Sequence, residues 1–430
     1  MASVQGREGR AAGAPNRLEV WVREDRAAHA VWRAIDFDAP GSDCRGTIEY
    51  TFRGAVRPSP LASNDFALLG VLFLGMSRGL DVHVHGRVSS ALLANLEEFQ
   101  AAWCRWRPQH YRRIVLTADE EITPAPPTDH GAVLAYSGGV DANYSLLRHR
   151  AGGAGRQELE LRAAVIIGGL DIPFDRPAVF ADIVSNAAAT LAPFDLPLTV
   201  VETNWKSTGC TDWAMEYFAG IASVMHQFEG VASVGLVGNC LDYGTMPLPW
   251  GSNPVTNPML AGGVFRMVTD GAGATRCEKV ARLARYPGIR DRLRVCWWGP
   301  SRGGGAENCG RCEKCLRTRM AFLCHGLDPG PSLPARSLLH TLLIGLRMPV
   351  PIHELREIGS LARRHGIRAP WLLALQLGIP VSHLANVLRR VYRPLRNVVM
   401  PVLRPLAHVV RSPAGKGAEP GPSEALSRTP

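Results

Sequence analysis

The sequence predicts an α/β fold: a doubly wound parallel sheet, preceded by an α+β N-terminal domain and followed by a helical C-terminal extension. Three observations predict it. Apolar runs without polar alternation recur from about residue 130 onward, helical patterns separate them, and turns containing glycine or asparagine follow them. Strands covered on both faces read as continuous apolar runs, and helices between strands imply parallel pairing.

The elements follow in order. Residues 1–16 are small, polar and charged, as in a disordered arm. Leu18–Val22, Thr47–Phe52 and Leu80–Val84 are strand-like, and Ser89–Trp106 has helical spacing, so 17–127 reads as the N-terminal domain. His83, His85 and His130 invite a metal reading. Because His83 and His85 alternate with Val82 and Val84, they are expected instead to face outward from a strand. The acidic, proline-rich stretch Asp119–Asp129 reads as a linker. Within 128–328 the strands are Ala132–Tyr136, Ala163–Ile167, Leu198–Thr203 and Val234–Val237, with helices at Arg176–Leu191 and Asp212–Phe228. Arginine-rich helical patterns at Ile352–His365, Trp371–Leu377 and Val381–Val410 make an extension over 329–410, the last pattern broken by Pro394, Pro401 and Pro405. Packing of these helices on the main domain is preferred to docking on a membrane. The tail 411–430 is rich in Pro, Gly and Ser and reads as disordered.

Composition narrows the function. An apolar fraction of 46% and a charged fraction of 20% are ordinary for a soluble protein. The net charge of +10 comes almost wholly from arginine, since the lysines are only Lys206, Lys279, Lys314 and Lys416. No nucleic-acid-binding motif accompanies it, so specific nucleic-acid binding is not expected, while a basic surface suits anionic substrates. No apolar run approaches the roughly 18–20 residues of a membrane span. The first 15 residues lack a signal-peptide core, and a cytoplasmic location is expected.

The first chemical motif is Ser137-Gly138-Gly139-Val140-Asp141. It lies where an apolar strand turns into a helix. Glycines let backbone N–H groups approach an anion, and the helix dipole favours negative charge there. Asp141 would repel phosphate and is better placed to hold Mg²⁺. No Gly-Lys-Ser/Thr follows, so this is not a Walker loop. Gly168-Gly169-Leu170-Asp171, Thr203-Asn204-Trp205 and Gly238-Asn239 fall at neighbouring strand ends, where open α/β sheets bind ligands.

The second motif is Cys309-x-x-Cys312-x-x-Cys315 with Cys296 upstream. Two residues between cysteines let both sulfurs reach one ion, and four thiolates closing a tetrahedron make a structural Zn²⁺ site. An iron–sulfur cluster held by three of them is the rival. The four-cysteine ferredoxin spacing fails because position 319 is Arg319.

Together the motifs resemble one superfamily. Ser137–Asp141 looks like the pyrophosphate loop of the N-type ATP pyrophosphatases, which have an adenine nucleotide α-hydrolase fold and include asparagine, GMP and NAD synthetases. The later order, Gly238–Tyr243, Thr275–Glu278, Val295–Trp297 and Cys309–Arg317, is similar to 7-cyano-7-deazaguanine synthase over about residues 130–325. Ala142 stands where the family has Ser or Thr, and Arg276 where it has Lys. The segment Pro247–Pro254, with Trp250, departs from the family's substrate segment and implies a different substrate.

The resemblance implies AMP- and pyrophosphate-forming activation of a carboxylate by ATP and Mg²⁺, followed by C–N bond formation. Ser137, Gly138, Gly139 and Val140 would hold pyrophosphate, Asp141 the Mg²⁺, and Arg276 or Lys279 would offset phosphate charge. Asp171, Asn204, Gly238 and Asn239 are nucleotide-contact candidates. The acceptor would be a small-molecule or conjugated carboxylate. The nitrogen would be free ammonia, a substrate amine, or ammonia from a donating partner. A homodimer is compatible with the sequence. The alternatives are sulfur insertion, with a sulfur-donating partner and either a persulfide on Cys210, Cys240 or Cys277 or an iron–sulfur cluster, and a non-catalytic nucleotide-binding module.

Overall fold

A computed structural model describes residues 17–125, 127, 131–172, 176–296, 307–347 and 349–389 of the chain. The expected disordered ends, His130, Trp297 and the helical pattern beyond Arg389 lie outside the described residues. The chain divides into two compact units. The first comprises 1–137, 145–239 and 246–271, and the second comprises 138–144, 240–245 and 272–430.

The first unit is an α/β body on one ten-stranded sheet: β1 (Arg17–Arg26), β2 (Ala30–Asp38), β3 (Arg45–Gly54), β4 (Asp81–Ser89), β5 (Leu116–Ile122), β6 (Ala132–Ala135), β7 (Leu161–Gly168), β8 (Leu198–Thr203), β9 (Val234–Gly238) and β10 (Arg266–Asp270). The order across it is β10-β9-β6-β7-β8-β3-β2-β1-β4-β5. The strands β8, β7, β6, β9 and β10 are all parallel, and their chain order is the doubly wound one, with its reversal between β6 and β9. At the other edge β3 pairs antiparallel with β8, from Tyr50 opposite Thr203 to Gly54 opposite Thr199. Antiparallel pairing continues through β2 to β1, and β4 and β5 return to parallel pairing. The sheet is therefore mixed rather than wholly parallel, and it runs without a break through the expected domain boundary at 127/128. The physical reason is the open edge of β8, whose unpaired backbone groups are satisfied by β3.

One face of the N-terminal strands is buried and apolar except for Arg33 on β2. Leu18, Val20, Ile35, Ile48, Phe52, Val82 and Val84 are all buried in the core. The helix Asp65–Arg78 is buried along Asp65–Met76, so it reads as apolar all round rather than amphipathic. It packs against the helix Trp213–His226, where the Tyr50 hydroxyl and Ser223 Oγ lie 2.9 Å apart and Trp205 Nε1 donates to the Gly70 carbonyl at 2.8 Å.

The second unit is helical, with helices Arg276–Leu283, Glu313–Leu323, Ile352–Arg364 and Pro370–Arg389. The first has a reciprocal cap: Thr275 Oγ1 accepts from the Glu278 N–H, and the Glu278 carboxylate accepts from the Thr275 N–H. Helix Ile352–Arg364 buries Leu355, Ile358 and Ala362. Pro370–Arg389 is one helix where the sequence suggests a break before Val381. Among the described residues it alone is long and apolar enough, at mean hydropathy 1.4, to cross a membrane by length and composition. This corrects the expectation that no apolar run is long enough to span. Core helices of soluble proteins meet the same test but are mostly buried, whereas 28% of this window is buried.

Candidate functional site

The glycine turn and the helix after it have the geometry their sequence suggests. Gly138 has φ +72°, a left-handed conformation open to glycine and unfavourable for residues with a Cβ. The helix Val140–Arg150 starts two residues later, with Asp141 in its first turn. Gly139 has its carbonyl fixed by Asn143, whose N–H and Nδ2 donate to it at 3.1 and 2.9 Å. The Gly138 carbonyl accepts from the Arg294 N–H at 2.9 Å. Ser137 is exposed, and Val140 and Ala142 are buried.

Asp141 is the centre of a charge cluster inside the second unit. Lys279 Nζ lies 2.9 Å from its Oδ1, and an Arg276 guanidinium nitrogen lies 3.6 Å from its Oδ2. The capped helix Arg276–Leu283 brings both cations to the same side, three residues apart. Arg276 also pairs with Glu354 at 3.3 Å. Glu354 in turn accepts from Arg317, which bonds Glu313 at 2.5 Å one helical turn away. Lys279, Arg276, Glu354, Arg317 and Glu313 are all buried. Buried charges persist only when paired, and here three cations face three carboxylates. Burial pushes the Asp141 carboxyl up, but Lys279 and then Arg276 outweigh it and hold it below the usual carboxylate range. Burial likewise weakens the Arg276 cation, and Asp141 and Glu354 more than restore it. Glu354 and Arg317 are the members that sequence reading misses. Periodicity places Glu354 on a helix, but nothing in it links that helix to Arg276.

The remaining strand-end candidates lie in the first unit. Gly238 closes β9, and Asn239 is buried, its N–H donating to the Asp270 carbonyl at 2.8 Å. Asp171 is exposed in the turn after β7, where the Gly169 N–H donates to the Ile172 carbonyl at 2.6 Å. The Asn204 side chain is engaged with β3: its Oδ1 accepts from the Glu49 N–H at 2.7 Å, and its Nδ2 donates to the Thr47 carbonyl at 3.0 Å. Trp250 packs edge-on against Tyr217 with ring centroids 6.3 Å apart, and Tyr217 lies against Trp213.

Cys296, Cys309, Cys312 and Cys315 converge in the second unit, their sulfurs all within 4.8 Å of one another. The separations are 3.8 Å for Cys296–Cys312, 3.9 Å for Cys309–Cys315 and 3.4 Å for Cys312–Cys315. Four sulfurs at about 2.3 Å from a tetrahedral Zn²⁺ stand roughly 3.8 Å apart, so this set could hold a metal such as zinc. Backbone N–H groups of Arg311 and Cys312 point at Cys309 Sγ, both at 3.3 Å. Gly310, at φ +67°, allows that tight turn. Asn308 fixes the two arms together. Its Oδ1 accepts from the Val295 and Cys296 N–H groups at 2.8 and 3.0 Å, and its Nδ2 donates to the Leu293 and Ser332 carbonyls at 2.7 and 2.8 Å. Sequence spacing finds the cysteines but not this buried brace.

No protein-family model matches the chain, and no curated protein or solved structure shows significant similarity to it.

Proposed function

We propose that the chain uses ATP to activate a carboxylate as an acyl-adenylate, releasing pyrophosphate, and then passes the acyl group to nitrogen with release of AMP. The observation that carries this is the clamp on Asp141, at the start of a helix that follows a left-handed glycine turn, with Lys279 and Arg276 on its two oxygens. It supports a pyrophosphate loop of the N-type ATP pyrophosphatase kind. The strand-order reversal between β6 and β9 supports the adenine nucleotide α-hydrolase-like form of the sheet, since ligands bind beyond the carboxyl ends of strands at such a point.

In this reading a carboxylate oxygen attacks the α-phosphorus of ATP and the α–β bridging bond breaks. Backbone N–H groups along Ser137–Val140 bond the departing pyrophosphate. Lys279 and Arg276 turn from Asp141 to the phosphates and offset their charge, so stabilisation grows where charge develops. Mg²⁺, a hard cation that one carboxylate and phosphate oxygens can hold, would supply further charge neutralisation at Asp141. A nitrogen nucleophile then attacks the acyl carbon and AMP departs. The cysteine set, read as a closed Zn²⁺ site, is structural. The Trp250 segment argues for an acid different from that of 7-cyano-7-deazaguanine synthase.

Sulfur insertion is the second reading, and two observations count against it. Burial, and then Glu216, pushes the Cys210 thiol up. Cys277 is buried and hydrogen-bonded with Cys324, which raises it strongly as well. Neither resembles an activated thiolate. Cys240 is exposed and is the cysteine to replace in testing that reading. Isotope exchange tests the main one: labelled pyrophosphate should enter ATP only when the cognate acid is present, and Asp141→Ala should abolish the exchange. Exchange that survives this substitution would remove the Asp141 clamp from the mechanism.

A further inference from the structure

We infer that Glu19, His83 and His85 form a second metal site, in the first unit, for a borderline divalent transition-metal ion such as Zn²⁺. Each residue offers one ligand atom, and these atoms lie within 4.8 Å of one another. His85 Nε2 and Glu19 Oε2 are 3.0 Å apart. Ligands at about 2.0–2.2 Å from a tetrahedral ion sit roughly 3.3 Å apart, so modest side-chain rotation closes the set.

The strands explain why these residues meet. His83 and His85, two apart on β4, share the face opposite Val82 and Val84, and Glu19 is the register partner of His83 on β1. The pairing of β4 with β5 is irregular between Val84 and Arg87, where Gly86 has φ +131°. Such bulges re-aim a side chain, here His85. Trp21 stacks on the His85 ring at 4.9 Å and 6°. Arg17 holds the other Glu19 oxygen, with its Nε at 2.7 Å, and leaves Oε2 toward His85.

The surroundings also suit a metal. Asp119 Oδ1 lies 3.0 Å from His83 Nε2 and 3.5 Å from His85 Nδ1, and Thr117 Oγ1 lies 2.8 Å from His83 Nδ1. A ligating imidazole holds its second nitrogen against such an oxygen, which fixes the tautomer. Both His83 nitrogens are engaged here, so ligation would release one of its two contacts and keep the other. Two imidazoles and a carboxylate select Zn²⁺-like ions over Mg²⁺ or Ca²⁺, which favour all-oxygen shells.

Metal binding by the purified full chain tests this. The chain first receives enough Zn²⁺ to fill its thiolate site, and excess is removed on a mild chelating column. Further Zn²⁺ is then titrated in by calorimetry, with Co²⁺ as a spectroscopic probe in parallel. The wild type should take one further equivalent, and the added Co²⁺ should show d–d bands without thiolate charge transfer. His83→Gln and His85→Gln should each lose that equivalent, and Glu19→Gln should weaken it at least roughly tenfold. Circular dichroism checks the fold, and Glu19→Gln decides the matter if either histidine variant misfolds. A wild type that takes no further equivalent, variants that bind it unchanged, or a thiolate band on the added cobalt would each overturn the assignment.

Discussion

The backbone N–H of Arg294 donates to the carbonyl of Gly138 at 2.9 Å. Arg294 lies two residues before Cys296, whose own N–H is held by Asn308. The four-cysteine cluster and the glycine turn are thus joined by a short stretch of backbone. A metal on the cluster would fix the segment that positions the turn.

Loss of the cluster's metal should therefore reach the turn. Asn308→Ala removes four hydrogen bonds and should weaken metal retention about 10–100-fold. Metal analysis after dialysis against a chelator reads the first effect, and ATP titration of the same sample reads the second. Nucleotide affinity that is unchanged after the metal is lost would separate the two sites.

Asp141 and Lys279 should behave as one unit. Asp141→Ala leaves Lys279 and Arg276 buried with one carboxylate fewer. The expected loss is about 3 kcal/mol, at the low end for a broken buried pair because Asp141 is 20% exposed. Asp141→Ala with Lys279→Met should cost less than the sum of the two single changes. Urea unfolding of the four proteins measures the coupling, and additive costs would contradict the pairing.

Gly138→Ala tests the turn by conformation rather than by crowding. A Cβ there would meet nothing nearer than Arg294 Cβ at 3.8 Å, but φ is +72°. The strain should cost about 1–2 kcal/mol and weaken ATP binding. Gly273→Ala, in open space without a positive φ, serves as the control and should do neither.

Acid should destabilise the first unit through His226. The ring is buried, and its Nε2 lies 2.8 Å from the Leu260 carbonyl. Burial lowers its affinity for a proton despite the nearby Asp65. Below about pH 6.5 the unfolded chain takes up a proton that the folded one refuses. Stability from this group is present above that pH and is lost as pH falls toward the depressed folded value, by up to about 1.4 kcal/mol per pH unit. His226→Gln, which keeps a donor for Leu260, should flatten the fall between pH 7 and 5 in denaturation midpoints. An unchanged slope would assign it to other groups.

The parts legible in the sequence are those whose burial is uniform. Ala132–Ala135 and Ala163–Ile167 read as strands because consecutive residues, pointing to opposite faces, are buried alike. β2 escapes because Arg33 lies inside, fully buried, paired with Glu24 and bonded to the Ser59 and Gln227 carbonyls, so a core position looks polar. The helix Asp65–Arg78 escapes for the opposite reason: burial on every side erases its 3.6-residue period. The cysteines and the glycine turn are local in sequence and easily seen. Glu354 and Asn308 act on residues distant in the chain or through backbone contacts, and a pattern cannot report either.

The most direct measurement is phosphorus NMR of ATP turnover by the full chain with Mg²⁺ and a panel of carboxylic acids. The account predicts AMP and pyrophosphate in equal amounts with the cognate acid, and neither with Asp141→Ala. Formation of ADP and phosphate, or bound ATP that no acid turns over, would contradict it.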